Sequence, residues 1–141
     1  MTLPAPSPGL VIRYDYLWSR ESAQGRVQGK DRPACIVVAS DSSARPRFVV
    51  LLPITHSSPH DGDVAIELPA RVRSAIGLDV EPAWIIVSEH NVDEWPNPGV
   101  APIPGKPGAY AYGYLPPALF AEVKRQFIAC AESSARVTRN T

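Results

Sequence analysis

The chain of 141 residues has few cysteines, no net charge and no long apolar run, and each shortage excludes a class of protein. Its two cysteines cannot build a disulfide framework, and both Cys35 and Cys130 stand among apolar neighbours. A reducing cytoplasm is therefore the expected compartment, with the thiols serving as small core residues. The longest apolar run, Phe48 to Ile54, is interrupted by Pro53 and falls far short of the ~20 residues a membrane helix needs. No membrane partner is expected. The opening residues (MTLPAPSPG) show no basic segment leading into an apolar stretch, so no secretory leader is expected either. Walker loops, GxGxxG, GxSxG, HExxH and paired CxxC motifs are all missing. Fourteen Lys and Arg balance fourteen Asp and Glu, which argues against a protein that coats nucleic acid by bulk charge.

The charge is unevenly spread. Residues 11–50 hold seven bases (Arg13, Arg20, Arg26, Lys30, Arg32, Arg45, Arg47) against four acids, a net of +3. Residues 60–95 hold two bases against eight acids, a net of −6. A basic face able to meet a phosphate backbone is one reading of that asymmetry, and ordinary scatter on a solvated surface is the other.

Proline is abundant. Sixteen prolines leave short gaps rich in Val, Ile, Leu and aromatics, which read as strands: Leu10–Tyr16, Ala34–Ala39, Arg47–Ile54, Val64–Leu68, Ala83–Ser88 and Ala109–Leu115. Two helices are expected. Pro69–Ile76 opens on a proline and stops at Gly77. Pro116–Ala131 aligns Leu119, Phe120, Val123, Phe127 and Cys130 on one face. The pattern predicts a mainly β chain: a small antiparallel barrel with a short inserted helix and a C-terminal helix. Residues 1–8 read as an extended arm, 9–131 as one domain and 132–141 as a polar tail that frays.

Three segments carry polar residues that a strand pattern does not require. Arg32 stands before Pro33 at the mouth of an apolar strand, and Pro33 biases it toward an extended conformation. Its guanidinium offers a planar fork suited to a phosphate, although a surface ion pair with Asp31 would also use it. Thr55, His56 and Ser57 cluster where the strongest strand leaves the core, as a phosphate-holding group or as an ordinary capped turn. Ser88-Glu89-His90-Asn91 follows the next strand, either supplying a base or marking a strand end with a solvated acid. His56 and His60 are four apart, but Pro59 breaks the helix that would pair them, so no zinc site is expected.

The order of these pieces resembles a family. Gly9-Leu-Val-Ile-Arg-Tyr-Asp-Tyr, a loop with Glu21, Lys30-Asp-Arg32-Pro33 and an aliphatic strand look like the PemK/MazF toxins of bacterial toxin–antitoxin pairs. The likeness continues through Pro53-Ile54-Thr55, Trp84-Ile-Ile-Val-Ser-Glu89 and Gly113-Tyr-Leu before the last helix, covering roughly residues 9–130. It implies an SH3-like barrel, dimeric and cytoplasmic, acting without metal or other cofactor as an endoribonuclease on single-stranded RNA. Arg32 and Thr55 match the family's catalytic pair, and Glu21 its loop acid; the base is Glu21 or His56. Lys30, Arg26, Ser57, Trp18 and Glu89 are then expected against the RNA. Trp95 and the alternating Tyr110, Tyr112 and Tyr114, on one strand face, are further aromatic candidates, although that face serves equally as barrel core or dimer interface. A cognate antitoxin would fill the basic groove with an extended, partly acidic segment, and any DNA association would run through that antitoxin. Leu10 stands where the family usually has an acid, and the Ser19–Asp31 loop is longer than the common pattern, so RNA sequence preference does not carry over. Two other readings remain: a non-cleaving toxin of the same fold that poisons a protein such as DNA gyrase, and a nucleic-acid-binding regulatory barrel.

Overall fold

Strands dominate the computed structural model, which describes residues 3–78 and 80–139. Met1 and Thr2 of the expected arm, and Asn140 and Thr141 of the expected tail, lie outside the described residues. In chain order the elements are β1 (Leu10–Tyr16), α1 (Ser19–Ala23), β2 (Lys30–Ala39), β3 (Arg47–Thr55), β4 (Ala65–Glu67) and α2 (Ala70–Ala75). There follow β5 (Trp84–Ile86), β6 (Glu89–Trp95), β7 (Ala111–Tyr114), α3 (Pro117–Cys130) and β8 (Ala135–Thr138). All the strands join one strongly curled sheet, ordered β4-β5-β3-β2-β1-β7, with β6 also on β3 and β8 on β6. Pairing is antiparallel except between β6 and β8.

β1, β2 and β3 are apolar on both sides because both sides are covered. Leu10, Ile12, Tyr14 and Tyr16 of β1 join Ala34, Ile36, Val49 and Leu51 in one cluster. Their sequence neighbours Val11, Cys35, Val37, Leu52 and Ile54 join the other, beneath α2 and α3. The predicted face of α3 supplies its lid: Val123 is fully buried, with Leu119, Phe120, Phe127 and Cys130 packed around it. Pro117 starts the helix, where its missing N–H costs nothing.

Three expectations need correcting. Residues 135–139 do not fray, since Ala135–Thr138 pairs with β6 and Arg139 is 6% exposed. That arginine donates to the Tyr14 hydroxyl at 3.2 Å, to Asn91 Oδ1 at 3.1 Å and to the Asp15 carboxylate at 2.9 Å. It is a buried charge with its partners supplied. The Ser88–Asn91 region is not a solvated strand end: it opens β6, where His90, Asn91 and Asp93 are buried. Finally, the tyrosines do not share a face. A register shift between Val11 and Ile12 lies opposite Tyr112, and Tyr110 and Tyr112 pack against different clusters. Among the described residues, no helix is long and apolar enough to cross a membrane.

Candidate active site

The antiparallel register of β2 and β3 pairs Ala34 with Pro53. Two residues beyond that pair stand Arg32 on one strand and Thr55 on the other, and both line the same clefts at that end of the sheet. Two apolar strands thus deliver a guanidinium and a hydroxyl to one sheet end. Gly29 fixes where β2 begins: a Cβ there would overlap the Tyr16 carbonyl oxygen, so no other residue fits.

Arg32 lies over the Trp18 ring, its guanidinium carbon 5.2 Å from the centroid, and Arg20 lies over the same ring at 4.7 Å. Trp18 is 6% exposed and meets Tyr16 edge-on at 5.3 Å. It is therefore backing for two arginines rather than an open stacking platform. Burial lowers the Arg32 pKa, while the nearby Glu21 carboxylate pushes it back up. Arg32 Nε makes no hydrogen bond among the described residues. Thr55 is 8% exposed, and its Oγ1 accepts the Ser57 amide at 3.1 Å. That bond is the local capping its residue type favours, and it leaves the hydroxyl proton for another acceptor.

Arg32 and Thr55 line two clefts at once. The larger, about 410 Å³, holds Arg13, Lys30, Asp31, His56 and Tyr112 above an apolar floor of Ile54, Leu78 and Ile103. Three cations against one acid make it a place for anions. The smaller, about 120 Å³, holds Trp18, Arg20, Ser57, Ser58, His60 and Asp63. Arg13 is anchored by donating to the Tyr112 hydroxyl at 3.1 Å and the Asp31 carbonyl at 3.3 Å. His56 Nδ1 lies 2.9 Å from the Pro82 carbonyl. A carbonyl oxygen can only accept, so Nδ1 carries the proton that faces it.

Of the expected residues, Arg32, Thr55, His56, Lys30, Ser57 and Trp18 come together here. Glu21 and Arg26 line neither cleft and pair with each other at 2.7 Å. Glu21 also accepts the Trp18 amide at 3.3 Å, which ties it to the start of α1. Glu89, expected against the RNA, is instead 7% exposed. Its carboxylate accepts the Tyr16 hydroxyl at 2.9 Å and the Ser19 amide and hydroxyl at 3.1 Å each, so it braces the wall behind Trp18. Sequence reasoning missed Arg13, Arg20 and Asp63. A lone base in a strand that otherwise holds aliphatic residues, tyrosines and one acid was the available signal for Arg13. Nothing comparable marks Asp63, which a turn brings in. Among the described residues, no group of three His, Cys, Asp or Glu side chains could hold a metal ion. No protein-family model matches the chain, and no curated protein matches it.

Proposed function

We propose that this chain is the toxin half of a toxin–antitoxin pair, an SH3-like barrel that acts as a cytoplasmic homodimer and cuts single-stranded RNA. The observation that carries this reading is the convergence of Arg32 and Thr55 at the junction of the two clefts.

RNA brings its own nucleophile, the ribose 2′-hydroxyl, beside the scissile phosphate. His56, which lines the larger cleft, takes the 2′ proton, the 2′ oxygen forms a bond to phosphorus, and the bond from phosphorus to the 5′ oxygen breaks. The leaving oxygen takes a proton from water and ends as a 5′-hydroxyl, and the other fragment ends as a 2′,3′-cyclic phosphate. Arg32, positively charged throughout, meets the negative charge that builds on the phosphate oxygens. Thr55 donates to one of those oxygens and keeps the phosphate in line with the attacking group. Lys30 and Arg13 guide the backbone through the larger cleft. Glu21, held by Arg26 and by the start of α1, is the weaker candidate for the base. An antitoxin would inhibit by laying an extended acidic segment in the larger cleft.

The test is a long single-stranded RNA incubated with purified protein in excess chelator, beside the same RNA carrying one 2′-deoxynucleotide at a mapped cut. Cyclic phosphate ends, and loss of cutting at the deoxy position, are expected. Cutting that persists at the deoxy position would overturn the proposed chemistry. Growth arrest without any cutting would favour a toxin that poisons a protein.

A further inference from the structure

We infer that the smaller cleft is a nucleobase subsite in which Asp63 selects a base bearing an exocyclic amino group, guanine above all, and disfavours uracil. This deepens the ribonuclease reading and rests on it for the claim that the base belongs to an RNA strand.

The cleft has under a third of the larger one's volume, room for one flat ring system rather than a nucleotide. It opens from the same Arg32 and Thr55 that face the larger cleft. A nucleotide whose phosphate rests on Arg32 therefore has this recess within reach of its base. Arg20, held over the buried Trp18 ring, offers a flat guanidinium against which a base can stack.

Asp63 sits at the rim with its position fixed. Its Oδ2 accepts the His60 amide at 2.8 Å, its own amide donates to the His60 carbonyl at 3.0 Å, and Gly62 makes the turn at φ +89°. One carboxylate oxygen is thus held in the turn, while among the described residues Oδ1 accepts no hydrogen bond and can accept one from a ligand. A carboxylate can only accept. Guanine offers it two adjacent donors, N1–H and the 2-amino group, while cytosine and adenine each offer one amino group. Uracil offers a single N–H flanked by two carbonyl oxygens that the carboxylate repels.

Nucleoside 3′-monophosphates are the probes, followed through the Trp18 indole resonance in NMR titrations, with RNA cutting assayed in parallel. The expected result is 3′-GMP binding roughly tenfold more tightly than 3′-UMP, with 3′-CMP and 3′-AMP between, consistent with the usual discrimination of a good base contact. Asp63→Asn, whose amide donates as well as accepts, should erase that preference while the protein still binds nucleotide. Equal affinity for all four, an unchanged preference in Asp63→Asn, or no shift of Trp18 at millimolar nucleotide would each overturn the inference. A clear guanine preference in a protein that cuts no RNA would uphold the subsite and reject the ribonuclease reading.

Discussion

The Tyr16 hydroxyl donates to the Glu89 carboxylate at 2.9 Å, within the wall that supports Trp18 and, through it, Arg32. Burial raises the Glu89 pKa above its ordinary value of about 4.5, while the bonds from Ser19 and Tyr16 pull it down. The folded protein therefore keeps this proton at a pH where the unfolded chain has released it. Wild-type stability then falls as pH rises through the window just above 4.5, the reverse of an ion-paired carboxylate. Glutamine at this position does not titrate. Urea unfolding from about pH 4 to about pH 7 should show the wild type's margin over Glu89→Gln shrinking as pH rises. A margin that grows would contradict the assignment.

A second prediction concerns Arg139, whose side chain is 2% exposed and joins β1 and β6, and reaches the Val27 carbonyl in the loop before β2. Replacing it with Met removes a buried cation and leaves the Asp15 carboxylate and the Asn91 Oδ1 short of a donor. The cost should be about 3 kcal/mol in urea unfolding, as for other broken buried pairs. A loss below about 1 kcal/mol would mean that water replaces these bonds and that β8 is dispensable.

How much of this was legible in the sequence depends on what each residue answers to. β1, β2 and β3 were readable because their β-branched and aliphatic runs sit between turn residues, and α3 because its apolar face repeats with helical period. β6 was not, since Glu89, His90, Asn91 and Asp93 look like a loop. Their burial depends on partners over 40 residues away, Tyr16, Leu17, Ser134 and Tyr14, which no local pattern reveals. β8 was hidden for the same reason, because Arg139 pairs with residues at the other end of the chain. Arg32 and Thr55 were found by their places at strand ends. The role of Glu89 was not, because a buried brace and a surface ligand are spelled with the same letter.

The two candidate bases make a third, separable prediction. His56 lines the larger cleft, whereas Glu21 lines neither cleft and is held by Arg26 and the Trp18 amide. His56→Ala should lower kcat on an RNA oligonucleotide by about 10²-fold, the usual contribution of a positioned base. Glu21→Gln should lower it by less than roughly tenfold on the same scale. The opposite ranking would transfer the role to Glu21.

The most direct measurement is the rate at which wild type, Arg32→Ala and Thr55→Ala cut one single-stranded RNA in excess chelator, with circular dichroism confirming that all three are folded. Loss of one donor to a developing phosphate charge costs about 10²–10³-fold, and both variants should fall by that much. RNA cut at wild-type rate by both folded variants would contradict the claim that the pair at the meeting of the two clefts performs the reaction.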